Sequence, residues 1–419
     1  MLKKKVIRPI NHEFSCILIN LLLSIKLTTS ASFRSISKIM VLVNLYLDLN
    51  IKVPCHVTIL LWVKKLGVYK LNQAKEKADD WIIMIDESIE FGHDKLLVIL
   101  GIRESEIDFE RALHYHDMTC LKLTASDSWK GEDIKKVLDE LTKELGTIKY
   151  AVADMGNSIK KALRLLSITH VEDINHKISW FIKELYKDDK EFETYAKKLA
   201  YLRGSMSLSN MSHILPPAQR INSRYMNLKP IFSWGMSILN MLECETTNAA
   251  EKEKMLFVRE YEHLIRQTNQ LIEIANEIQE ILKKNGLIEE TKEKCLKLFD
   301  NVTDSRTLKF KDNINTFLTN TEKSVNGSDK ILCSSDILES SFGKYKNYIS
   351  DNISVGITNL SLSIPAFNSK LEQNEITRAM EEIKTKQIKE WSALNIGETQ
   401  TKKRRVSLKM ERRKKCVTP

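Results

Sequence analysis

Two aspartates stand where strands would end. "WIIMIDE", residues 81–87, puts Asp86 at the close of an unbroken apolar run, and "YAVAD", residues 150–154, does the same with Asp154. An apolar run of this kind predicts a buried strand, and buried strands do not carry charge without a cause. Residues just beyond the carboxyl ends of parallel strands line the crevice of an open sheet. If the two strands are neighbours, the carboxylates converge and repel unless protons or metal ions neutralise them. Hard ions such as Mg²⁺ bind through one or two carboxylates plus substrate phosphates, and two ions together can activate an attacking oxygen and stabilise a leaving one. Each aspartate also has a plainer reading: Asp154 as the cap of a helix starting near Asn157, and Asp86 as a strand end facing solvent. Glu87 should point to the opposite face of the strand and is set aside.

A third acid lies far downstream, in "SSDILESSFGKYK", residues 334–346. Ser335 can cap a helix there, and Glu339 falls on its second turn. Asp336, three residues earlier, competes for the same role. Lys344 and Lys346 beyond it read equally as phosphate contacts or as a solvated helix face. Asp173-Ile174-Asn175-His176 follows the second aspartate. No cysteine lies near His176, so a zinc site is disfavoured. It reads as a helix-start histidine held by Asp173, or as a group behind the active site or against DNA.

The elements that would position these groups are legible from periodicity. Apolar, β-rich runs at 81–86, 95–102 and 118–124 predict three strands. A helix follows over 131–145, with Ile134, Val137, Leu138 and Leu141 on one face. Then come a strand at 148–153, a helix at 157–166, a short strand at 169–174 and a helix at 175–187. The order βββαβαβα implies an α/β fold with a mixed sheet, antiparallel at first and parallel later. From about 188 to 330 the pattern is almost wholly helical. Phe257, Tyr261, Leu264, Thr268, Leu271, Ala275, Ile278 and Leu282 form a heptad seam stopped by Gly286, which suits an intramolecular hairpin or a dimer coiled coil.

At the amino end, helical spacing covers 11–27 and 32–48, and Pro54 opens a helix from Cys55 to Leu66 with Gly67 as its cap. The last two make a candidate helix-turn-helix carrying His56, Thr58, Trp62, Lys64 and Lys65. Charge supports that placement. The chain of 419 residues carries +10 overall, but residues 1–72 hold about +9 and residues 376–419 about +8, leaving an acidic middle. Basic ends around an acidic body suggest arms for a polyanion, although basic surface helices also arise by chance. The end of the chain, from Lys402 to Lys415, reads as a mobile basic tail. The longest apolar run, 16–25, is too short for a bilayer and lacks a cleavage site. Seven scattered cysteines without a CxxC pair suggest free thiols, and the expected location is cytoplasmic.

In order and placement these features resemble a bacterial DDE-type transposase: a ribonuclease-H-like core of βββαβαβα order, interrupted by a helical insertion before the helix bearing the third acid. "SFRSISKIM…VPCHVTILLWVKKLGVY" resembles the helix-turn-helix that precedes such cores, and "SSDILESSFGKYK" is similar to their Glu-bearing stretch. The resemblance implies Asp86, Asp154 and Glu339 as catalytic metal ligands for two Mg²⁺ or Mn²⁺ ions. Asp173 and His176 would stand behind them. His56, Thr58, Lys64, Lys65, Lys344 and Lys346 would contact double-stranded DNA at element ends and target. It also implies a homodimer in the DNA complex, near the nucleoid and without a membrane. The expected organisation is 1–72 helix-turn-helix, 73–187 first part of the core, 188–330 helical insertion, 331–370 final core helix and 371–419 basic tail. Two alternatives remain: an inactive DNA-binding relative or regulator, and a structure-specific nuclease of the same superfamily.

Overall fold

The computed structural model describes residues 7–89, 94–108, 110–219, 228–325, 327–328, 330–349, 356–369 and 371–415. Along the chain these form α1 (Cys16–Thr28), α2 (Phe33–Tyr46), α3 (His56–Asn72), β1 (Ala78–Ile89), β2 (Lys95–Arg103), β3 (Thr119–Ser126), α4 (Gly131–Leu145), β4 (Gly146–Ala153), α5 (Asn157–Leu165) and β5 (Thr169–Glu172). Seven helices follow: α6 (Ile174–Tyr186), α7 (Lys190–Met206), α8 (Leu228–Glu243), α9 (Ala249–Met255), α10 (Glu262–Asn285), α11 (Glu289–Lys297) and α12 (Ser305–Ser324). The chain ends with α13 (Asp336–Ile349), α14 (Ser363–Phe367), α15 (Gln373–Glu382), α16 (Thr385–Asn395) and α17 (Gln400–Lys415). It divides into two units. The first comprises Met1–Asp108, Ala112–Val171 and Ser335–Pro419, and the second Phe109–Arg111 and Glu172–Ser334.

The first unit is built on a five-stranded mixed sheet of order β3-β2-β1-β4-β5. β1 pairs antiparallel with β2, β2 antiparallel with β3, and β1 parallel with β4. Alternation along the strands assigns the faces. Ile83 and Ile85 of β1 and Ala151 and Ala153 of β4 share one core with Ile134, Leu138, Leu141 and Leu145 of α4 and Ile159 and Leu163 of α5. None of the residues of α13 belongs to that core, although α13 packs on β1. It therefore covers the other face, the one to which Ile82, Met84 and the next alternate residue, Asp86, belong.

The helix-turn-helix expected at the amino end is not what forms. Residues 47–55 separate α2 from α3, longer than the roughly three to four residues of such a turn. Nor does α3 stop at Gly67. It continues to Asn72 and packs against α1, α2, α14, α15 and α16, so it is a central helix rather than an exposed reading head. Gly67 serves close approach instead of capping: a Cβ there would lie 2.0 Å from the Leu362 carbonyl oxygen. The carboxyl end differs from expectation as well. The region expected as a basic tail, 371–419, holds α15, α16 and α17, with α16 packed on α3 and β3, and the stretch from Lys402 read as mobile is helical in α17.

The second unit is helical. Tyr261, Leu264, Thr268, Leu271, Ala275, Ile278 and Leu282 are all buried within it, where α10 packs on α6, α8 and α11. The heptad seam is thus consumed inside the chain, as the hairpin reading has it. Gly286, at φ 68°, ends α10 with its amide bonded to the Leu282 carbonyl at 2.9 Å.

Candidate active site

The parallel register of β1 and β4 sets the site. Ile85 is paired with Ala153, so Asp86 and Asp154 each sit one residue beyond the same rung. Adjacent strands lie roughly 4.8 Å apart, and strand alternation puts both positions on the face away from α4 and α5. Both residues are half-buried. Each is anchored locally. Asp86 Oδ1 accepts the Glu87 amide at 2.7 Å, and Asp154 Oδ1 accepts the Gly156 amide at 2.9 Å. Asp154 does not cap α5 directly. Gly156 holds the N-cap position, and Asp154 shapes the turn before it.

Glu339 arrives on α13, which packs against β1. The Ser335 carbonyl accepts the amides of Leu338 and Glu339 at 2.8 and 3.4 Å, starting the helix as its sequence suggests. The buried face of α13 carries Leu338, Ser341, Phe342 and Tyr345. At 100° per residue Glu339 flanks that face, whereas Asp336 falls about 160° from Leu338, farther round. Glu339 is exposed. Among the described residues no group of three or more His, Cys, Asp or Glu side chains could hold a metal ion. Asp86 and Asp154 thus stand as a pair of carboxylates, with Glu339 on a neighbouring helix and in no three-donor group among the described residues.

The remaining candidates divide sharply. Asp173 is fully buried in the second unit and caps α6, accepting the amides of Asn175 and His176 at 2.8 and 2.9 Å. This ends β5 at Glu172, short of the expected 174, and fixes His176 through its backbone. Lys65 is a correction: it is 9% exposed, and its Nζ donates to the Met380 carbonyl at 2.7 Å and lies 3.2 Å from His12 Nε2. Burial lowers the pKa of Lys64 and of Lys65. Lys344 is likewise engaged inside the unit. It donates to the Leu27 carbonyl and lies 4.6 Å from the ring centroids of both Tyr115 and Phe367. Lys346 is exposed, and His56 and Thr58 are half-buried in the first turn of α3.

Three features escaped the sequence reading. Lys26, 2% exposed, lies 3.6 Å from the Tyr348 ring centroid and donates to the Ala31 carbonyl at 2.9 Å. Burial and the nearby Lys344 charge lower its pKa to about 8. A polar cavity of about 510 Å³ lies at the other end of the sheet, lined by Glu106, His116, Asp117 and the Lys70–Glu375 ion pair among others. Asp94, just before β2, accepts from Gln400 Nε2 at 3.0 Å and stands 3.6 Å from Lys403 Nζ. Its burial raises the carboxyl pKa, but hydrogen bonds with Asp127, Gln400 and Lys403 outweigh that and the net shift is downward. The contacts of Lys26 with Tyr348, of Lys70 with Glu375 and of Asp94 with Gln400 and Lys403 have no local sequence signal, because each joins segments distant in the chain.

No protein-family model matches the chain, and no curated protein matches it. Among solved structures it is similar to the Drosophila P element transposase strand transfer complex, at 11% identity and a TM-score of 0.41, over 85% of this chain and 92% of that one.

Proposed function

We propose that the chain is a DNA transposase with a ribonuclease-H-like core, cleaving phosphodiester bonds at element ends and joining the freed ends to target DNA. The observation that carries this reading is the parallel β1–β4 pairing, which sets Asp86, three residues before the end of β1, beside Asp154, one residue past the end of β4, with the Glu339 helix packed on β1. Asp86 and Asp154 would hold Mg²⁺ or Mn²⁺, and Glu339 would complete the ligand set when DNA phosphates enter. The metal, as two ions when fully loaded, supplies Lewis-acid activation of the attacking oxygen and charge stabilisation of the leaving one. The apolar bodies of β1 and β4 would hold the two carboxylates rigidly. Among the expected DNA contacts, Lys346 is the exposed cation that would meet phosphate, and two copies of the chain would bring two element ends together.

The test is cleavage and strand transfer on duplexes bearing candidate ends, with and without Mg²⁺. Asp86→Asn, Asp154→Asn and Glu339→Gln should each abolish both reactions while the fold, followed by circular dichroism, is kept. Full activity in all three variants refutes the assignment. Cleavage without joining would mark a structure-specific nuclease instead. A second reading, a DNA-binding relative without catalysis, is favoured by one observation, the lack of an assembled three-ligand group among the described residues. It predicts salt-dependent DNA binding and no metal-dependent cleavage.

A further inference from the structure

α2 buries only Ile36 and Met40, on the side where it packs against α1 and α3. At 100° per residue, Ile39, Leu42, Leu45 and Tyr46 form a second apolar stripe about 120° wide, centred roughly 140° from that buried pair. Leu45 is 69% exposed and Tyr46 82%, while Ile39 and Leu42 are half exposed. Beyond the helix the chain folds back on its last turn. The Leu49 amide bonds the Asn44 carbonyl at 3.1 Å, and the Ile51 amide bonds Asn44 Oδ1 at 3.0 Å. That return keeps two more exposed apolar residues, Leu47 and Leu49, at the same end of the helix as Leu45 and Tyr46.

Single apolar residues on a surface are ordinary, but a contiguous patch marks a contact. Together these six expose the equivalent of about three and a half whole side chains. At ~150–200 Å² for a large side chain that is ~550–700 Å², at or above the largest patch of a typical monomer. Each partner of a standard interface buries ~800 Å² with its polar rim included, so this face doubled by its own copy is of the right size. Charge favours that copy as the occupant. Arg34 and Lys38 stand on the first two turns of the same side, and Asp48 just past the last turn, all exposed. Two copies crossing antiparallel at Val41 and Leu42 bring Arg34 of each level with Asp48 of the other and oppose the helix dipoles. Parallel copies would set like charges together. A lipid surface fits less well: an interfacial helix carries cations along a solvated polar side, whereas the other side of α2 is buried and an acid adjoins its stripe.

We propose that the α2 stripe is a self-association face, through which two copies of this chain pair antiparallel without DNA. This rests on the transposase reading for why two copies should meet, but the contact is measured with neither DNA nor metal present. Sedimentation velocity of the full-length protein between about 0.5 and about 50 µM should show a concentration-dependent dimer with a micromolar or tighter dissociation constant. Replacing Leu42 and Tyr46 together by Asn should raise that constant ~100-fold or more. Circular dichroism and melting should not change, because both side chains are exposed. Leu394→Asn, at a residue of α16 that is 85% exposed, should leave the constant as it is. A wild type that stays monomeric across the whole range overturns the proposal, and so does equal weakening by Leu394→Asn.

Asp48→Asn tests the direction. Asp48 has φ 45°, a conformation that asparagine also adopts, so the backbone is kept. Losing both Arg34 pairs should weaken the antiparallel dimer about threefold to tenfold at low salt, and less at high salt. A tighter dimer overturns the antiparallel arrangement, since only parallel copies gain when an acid facing its twin is removed. If Leu42 and Tyr46 instead govern binding to phosphatidylcholine–phosphatidylserine vesicles while the protein stays monomeric, the face is a membrane contact and the proposal fails. A stable dimer of a protein that never cleaves DNA would sink the transposase reading and leave this face standing. A monomer that cleaves would do the reverse.

Discussion

Gly67→Ala isolates the role of the central helix. In a helix interior alanine is favoured over glycine by about 1 kcal/mol. Against that gain, the new Cβ would lie 2.0 Å from the Leu362 carbonyl oxygen, 2.8 Å from its carbonyl carbon and 2.9 Å from its Cβ. Comfortable contacts need about 3.5 Å, and two of the three atoms are backbone, so no rotamer change relieves the overlap. Overpacking of this kind costs about 1–3 kcal/mol, and a clash with backbone belongs at the top of that range. The net expectation is a loss of about 2 kcal/mol. At about 2–4 °C per kcal/mol for a unit of this size, the melting midpoint should drop by about 4–8 °C. Thermal denaturation followed by far-ultraviolet circular dichroism measures it. Gly204→Ala in α7 and Gly343→Ala in α13 are the controls, because a Cβ at either position meets nothing within 4 Å. Both should be neutral or gain up to about 1 kcal/mol. If Gly67→Ala melts at or above the wild type, close approach of α3 to Leu362 is not what fixes this glycine. Gly67→Asn separates packing from capping. Asparagine suits a helix cap but should be worse than alanine against Leu362.

Two further expectations concern buried titratable groups. Lys26 has its pKa lowered to about 8, so the unfolded chain binds more protons than the folded one between pH 8 and the ordinary lysine range, and stability should rise with pH across that window. The gap between the ordinary lysine value of 10.5 and about 8 corresponds to roughly 3 kcal/mol at most. Burial raises the pKa of Tyr348, which turns the slope down again above about pH 10. Denaturant midpoints from pH 7 to 9.5 check this, and Lys26→Met should flatten the rise; an unchanged slope in that variant removes Lys26 as its source. Among the cysteines, Cys55 and Cys244 are exposed and have pKa values lowered by hydrogen bonds from neighbouring threonines. Burial pushes Cys120 and Cys295 up to about 12 and raises Cys333 as well. A disulfide reagent should therefore label Cys55 and Cys244 quickly in the native protein, and the three buried thiols only on unfolding. Rapid native labelling of Cys333 would contradict its burial. Cys416 lies outside the described residues.

The sheet was legible in the sequence because its signals are local. Apolar runs near Trp81, Lys95 and Ile148, and the four-and-three spacing of Ile134, Leu138 and Leu141, are set by the pleat and the helical turn themselves. The element order, and the placing of Asp154 just past its strand, follow from those runs alone; Asp86, expected to end its strand, lies within β1, which pairing with β2 carries on to Ile89. The seam from Tyr261 to Leu282 likewise declared a buried helix face, although only packing within the second unit decided that the chain itself fills it. Other features were beyond the reach of any local pattern. That Lys65 bonds the Met380 carbonyl, that Lys344 lies between aromatic rings, and that α3 runs through Gly67 under Leu362 depend on contacts across hundreds of residues. A lysine on a helix reads the same in sequence whether water or a distant carbonyl receives its ammonium group. The basic end shows the same limit. Its charge is written in the sequence, but the tether through Asp94, which turns a tail into an oriented helix, exists only once β2 and α17 are folded together.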